Sequence, residues 1–71
     1  MASSNNDLIQ VIRESVRLNP QNVVLRKHLA DLLLKAQDFT AAESEFQQAL
    51  ALAPDDFQIK LGLAEAFFWS A

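Results

Sequence analysis

Ser15, His28 and Asp31 are the residue types of a hydrolytic triad, and His28 stands three residues before Asp31. A triad also needs an oxyanion hole and a substrate cleft, and no residues near these positions supply either. A histidine and an acid three apart on one helix read as neighbours on its surface. Asp55 and Asp56 are adjacent carboxylates, but with one histidine and no cysteine a metal site would rest on carboxylates alone. They read instead as helix caps. Arg13 and Arg17, one turn apart, make a small solvated basic spot. A single glycine excludes a glycine-rich phosphate loop, and zero cysteines exclude a disulfide framework and a thiol nucleophile. A net charge of −3 argues against nucleic acid, whose phosphates need a basic surface. The residues therefore predict no enzyme, no metal and no cofactor.

The elements that would position these side chains are helical. With 51 % apolar and 21 % charged residues among 71, the chain has the composition of one small globular domain. Its first residues carry neither a basic n-region nor an apolar signal core, and no run of about 18 apolar residues appears. A cytoplasmic setting without membrane contact is the expectation. Charge is uneven: residues 1–35 hold five Lys/Arg against three Asp/Glu, and residues 36–71 hold Lys60 against six acids. Such a dipole can steer copies head to tail.

Leu8, Ile12, Ser15 and Val16 make one apolar stripe of a first helix, capped by Asn5 or Asn6 and stopped before Pro20. Leu25, Leu29, Leu32, Leu33 and Ala36 make a second stripe, with Asn22 as its cap. Phe39, Ala42, Phe46, Ala49, Leu50 and Ala53 form a third helix that meets Pro54; Asp38 caps it, or Thr40 and Glu43 form a capping box. Phe57, Ile59, Leu61, Leu63, Ala64, Phe67, Phe68 and Trp69 belong to a fourth helix. No alternating strand pattern competes, so the fold class is all-α.

Sliding the chain along itself by 34 residues aligns Pro20 with Pro54, Leu18 with Leu52, Leu29 with Leu63 and Ala30 with Ala64. The same offset aligns Ile12 with Phe46, Leu33 with Phe67 and Arg26 with Lys60. Helix ends and apolar positions recur together, which marks a helical repeat. The row Arg26, Leu29, Ala30, Leu33, the Ala-x-x-x-Phe pair Ala42 and Phe46, and then Ala49 and Pro54 resemble the tetratricopeptide repeat family. Arg26 and Lys60 stand where that family often has tryptophan, and Gln37 where it often has glycine.

The resemblance implies an α-solenoid of antiparallel helix pairs. Residues 1–5 are a disordered N-terminus, 6–20 the second helix of a preceding repeat, 23–56 a complete repeat, and 57–71 the first helix of a truncated following repeat. It assigns the packed signature to Leu29, Ala30, Leu33, Phe39, Ala42, Phe46, Ala49 and Pro54. It further implies a non-catalytic protein–protein interaction module. One candidate surface is the fourth helix, through Leu61, Leu63, Ala64, Phe67, Phe68 and Trp69, which lack a covering helix and would self-associate or dock. The other is a concave peptide groove at Lys27, Asp31, Leu34, Leu61, Glu65 and Phe68, acting as an adaptor for a larger protein whose enzymatic part is absent. The expected partners are a protein or peptide, including further copies of the isolated chain, and neither nucleic acid nor membrane. Lys27 matches a family carboxylate-clamp position, but Asp31 and Gly62 replace the asparagines such a clamp wants. Asp31, one turn on, is expected to pair with Lys27.

Overall fold

Two prolines and three capping side chains partition the chain. The computed structural model describes residues 5–70, as helices α1 (Asn5–Leu18), α2 (Val23–Lys35), α3 (Phe39–Leu52) and α4 (Phe57–Ser70). Of residues 1–5, expected to be disordered, 1–4 lie outside the described residues, as does the expected cap from the side chain of Asn5 or Asn6, whereas the backbone of Asn5 begins α1. α1 stops two residues before Pro20 and α3 two before Pro54, where the ring removes a backbone donor and the preceding residue disfavours helix. Asn22 Oδ1 accepts from the Leu25 amide at 3.1 Å, Asp38 Oδ1 from Ala41 at 3.3 Å and Asp56 Oδ1 from Ile59 at 3.1 Å. Each satisfies an amide that the first helical turn leaves without a partner. Of the two caps open to α3, Asp38 is the one used.

α2 ends in a Schellman arrangement. The Gln37 amide donates to the Leu34 carbonyl at 3.0 Å and the Asp38 amide to Leu33 at 2.9 Å. This geometry needs a left-handed residue at its turn; Gln37 takes that role with φ 65°.

Consecutive helices pack on one another, and α2 also touches α4, while α1 meets neither α3 nor α4 among the described residues. The molecule measures 40 × 29 × 15 Å, so its thin dimension holds two layers of helices. This all-α arrangement is consistent with a tetratricopeptide-like solenoid. The core runs through the middle: Leu29, Ala30 and Leu33 from α2, Ala42, Phe46 and Ala49 from α3, with Ile9 and Val16 from α1 and Ile59 and Ala66 from α4. Phe39 is only half-buried, and Pro54 is exposed at its turn; neither belongs to the buried set in which the signature reading placed them.

The face of α1 differs from the expected stripe. Ile9 and Val16 are buried and Ile12 and Ser15 half-buried, whereas Leu8 is exposed. Leu8, Val11, Ser15 and Leu18 instead form a second row on this helix, at i, i+3, i+7 and i+10, whose three apolar members are all exposed.

Candidate protein-interaction surface

α4 is apolar around most of its circumference, and only one side of it is used. Ile59, Gly62 and Ala66, at i, i+3 and i+7, are its buried residues. Gly62 permits a close approach, since a Cβ there would collide with the ring of Phe46. Gly62 is therefore a packing position, and it also lines the depression between α2 and α4.

The other side of α4 is open. Phe67 is 66 % exposed, although Leu33, one period earlier, is 2 % exposed. Ala64 is exposed where Ala30 is buried, and Leu63 is half-buried where Leu29 is fully enclosed. Leu33 and its neighbours are enclosed because α2 has α1, α3 and α4 around it, whereas α4 packs only on α3 and α2. Phe57, Leu61, Phe68 and Trp69 extend the uncovered apolar surface. Phe68 and Trp69 meet edge to face with ring centroids 5.1 Å apart, a favourable aromatic geometry that still leaves both rings in solvent.

The groove residues gather between α2 and α4. Lys27, Asp31, Leu34, Leu61 and Glu65 line one depression of about 220 Å³, floored by Phe46 and Gly62. A second, of about 380 Å³, continues past Asp31, Leu34 and Glu65 to Phe39 and Trp69. Phe68 lines neither. The expected Lys27–Asp31 pair does not form. Lys27 Nζ reaches Asp56 Oδ2 at 2.8 Å and Gln58 Oε1 at 3.0 Å, and Asp31 pairs with Lys35 at 3.1 Å. The ammonium of Lys27 thus ties α2 to the start of α4. The hydrogen bond from Lys27 holds the Asp56 carboxyl below its ordinary range, helped by the Ile59 amide.

Arg26 is the residue whose role its sequence position concealed. Its guanidinium reaches Glu45 at 3.1 Å, Gln48 at 3.0 Å and the Pro20 carbonyl at 2.9 Å, spanning α2, α3 and the first turn. Only the recurrence of a cation at Lys60, one period later, signals such a place. The triad types stay apart in function: the Ser15 hydroxyl donates to the Val11 carbonyl of its own helix, and His28 is exposed. Arg17 is paired with Glu14 on the surface of α1. Among the described residues no group of three or more His, Cys, Asp or Glu could hold a metal, and no helix is long and apolar enough to cross a membrane.

Compared with known proteins, the chain matches the model of the tetratricopeptide repeat over residues 33–71. That match takes in the last turn of α2, all of α3 and all of α4, and so contains Phe46, Gly62 and the uncovered aromatic residues. No curated protein sequence and no solved structure matches the chain. A match over more than half of the sequence, joined to the 34-residue recurrence and the stacked helices, places this chain in the tetratricopeptide repeat family.

Proposed function

We propose that the chain is a non-catalytic protein–protein interaction module that self-associates or docks through the uncovered face of α4. In this reading α2 and α3 are one complete repeat, α1 is the second helix of a preceding repeat and α4 the first helix of a following one. Its setting is cytoplasmic. The observation that carries it is the contrast between Phe67 and Leu33, equivalent residues at 66 % and 2 % exposure. Phe57, Leu61 and Phe68 are likewise exposed on the open side of α4, and exposed apolar surface of this kind marks an interaction site.

Trp69 is the sole tryptophan, is exposed, and touches the ring of Phe68, so its emission reports on coverage of the Phe68 end of α4. As concentration rises from micromolar upward, light scattering should show growing mass while the Trp69 emission moves to shorter wavelength. Phe67→Ser with Phe68→Ser should remove both changes. Growing mass with unchanged Trp69 emission, or a single chain at every concentration, would overturn the reading.

A second reading rests on the depression between α2 and α4. Leu34 and Leu61 lie beside Asp31 and Glu65 there, and Glu65 makes no ion pair among the described residues. An apolar peptide with a basic residue would fit this lining. Lys27 is engaged by Asp56, which removes the cation that a carboxylate ligand would need. Glu65→Lys would then weaken peptide binding and leave the association of copies unchanged.

A further inference from the structure

The two outer helices each carry an apolar row that nothing in the chain covers. On α1 it is Leu8, Val11 and Leu18, with Ser15 among them; on α4 it is Ala64 and Phe67, with the half-buried Leu63 beside them. The 34-residue register says what each row lacks. Leu8, Ile12 and Ser15 correspond to Ala42, Phe46 and Ala49, the buried residues of α3. Leu8 is 42 % exposed where Ala42 is wholly enclosed. α1 is thus a helix of the α3 type without the α2-type helix that should lie on this side. α4 is a helix of the α2 type without its α3.

Among the described residues α1 and α4 do not touch, so neither row covers the other within one chain. From these two faces we infer that α4 of one copy receives α1 of the next, so that the junction rebuilds the α2–α3 pairing and copies join head to tail. This rests on the reading of α4 as the interaction surface and adds the identity of its occupant.

The charge distribution agrees with it. Leu63 and Ala64 repeat Leu29 and Ala30, so the α4 side of the close-approach position is preserved. Phe67 and Leu8, larger than Leu33 and Ala42, need more room than the smaller Ile12 in place of Phe46 returns, so the junction has to be wider than the α2–α3 contact. Within the chain Arg26 bonds Glu45 and Gln48; one register on, Lys60 faces Val11 and Glu14 of the next copy, so the anion moves from the first position to the second, where Glu14 also pairs with Arg17 of its own helix. On the larger scale the acidic residues 36–71 meet the basic residues 1–35, and opposite fields orient the encounter. A symmetric α4–α4 dimer would leave the α1 row in water and set Lys60 near its own counterpart. A head-to-tail contact is heterologous, so assembly is open-ended unless the rotation closes a ring.

The test uses the whole chain and two blocked forms. Leu8→Glu closes the α1 row and Phe67→Glu the α4 row; both sites are exposed, and circular dichroism should show unchanged helix content. Wild-type mass in light scattering should keep rising with concentration, and each variant alone should associate more weakly by more than about tenfold, since a lone charge is buried at its junction. Mixed in equal amounts, the two variants retain one intact junction and should give a discrete two-chain species. As a second measure, Lys60→Glu should weaken assembly about two- to fivefold, and adding Glu14→Lys to the same chain should restore it. If Leu8→Glu assembles like the wild type while Phe67→Glu does not, the head-to-tail junction is overturned and the α4 surface stands. A wild type that remains a single chain overturns both.

Discussion

The ring of Phe46 on α3 lies against the backbone of Gly62 on α4, in the space a Cβ would take. In an open helix, Gly→Ala stabilises by about 1 kcal/mol, because glycine loses more backbone freedom on folding. Here the sign reverses. Gly62→Ala should lower the unfolding free energy by about 1–3 kcal/mol, as overpacked cores do. Urea titration measures it, and Phe46→Leu in the same chain should recover part of the loss, a non-additivity that identifies the contact.

Gln37 holds φ 65° at the end of α2, a conformation that costs a side-chain-bearing residue about 1–2 kcal/mol and glycine little. Gln37→Gly should therefore raise the melting temperature, with a gain of up to about 1 kcal/mol after the added freedom of the unfolded chain is deducted. Gln37→Val should lower it. Both follow from thermal unfolding by circular dichroism.

The Arg26–Glu45 pair is mostly shielded, with side chains 12 % and 14 % exposed. Arg26→Ala strands the Glu45 carboxylate between α2 and α3 and should cost about 2–3 kcal/mol, below the full penalty of a wholly buried pair. Replacing both, as Arg26→Met with Glu45→Leu, should restore most of that stability. A double-mutant cycle by denaturant unfolding separates the pair from the packing of the arginine stem.

Asp56 gives the acid dependence a direction. Its folded carboxyl titrates below the ordinary range, because Lys27 and then the Ile59 amide bond the charged form. A depressed folded pKa contributes stability that is present above the unfolded value of about 3.9 and is lost as pH falls towards the folded one. Stability should thus decline as pH drops below about 4. Asp56→Asn should flatten this part of the decline in denaturant midpoints measured at successive pH values.

What could be read from the residues was local. Pro20 and Pro54 fix helix ends, and Asn22, Asp38 and Asp56 cap helices whose first turns they adjoin. These are interactions over one to four residues, so their partners are visible in the sequence. Less was legible where a helix has two apolar rows. On α1 the periodicity merges Leu8 with Ile12 and Val16, and only the position of α2 shows that Ile9 is inside and Leu8 outside. Lys27 has an acid one turn away, yet chooses Asp56, 29 residues on; no helical spacing contains that choice. α4 is apolar on nearly all sides, so its pattern names no inner face, and the burial of Gly62 appears only once Phe46 is placed.

Among the described residues, α2 alone touches all three other helices, while α1 meets only α2. Loss of α1 would leave the remaining three still joined, whereas disruption of α2 would cut α1 adrift and strip α3 of one of its two neighbours. Amide protons should accordingly exchange with deuterium last from the α2 backbone and earliest from α1, giving the chain a graded order of opening from the ends inward.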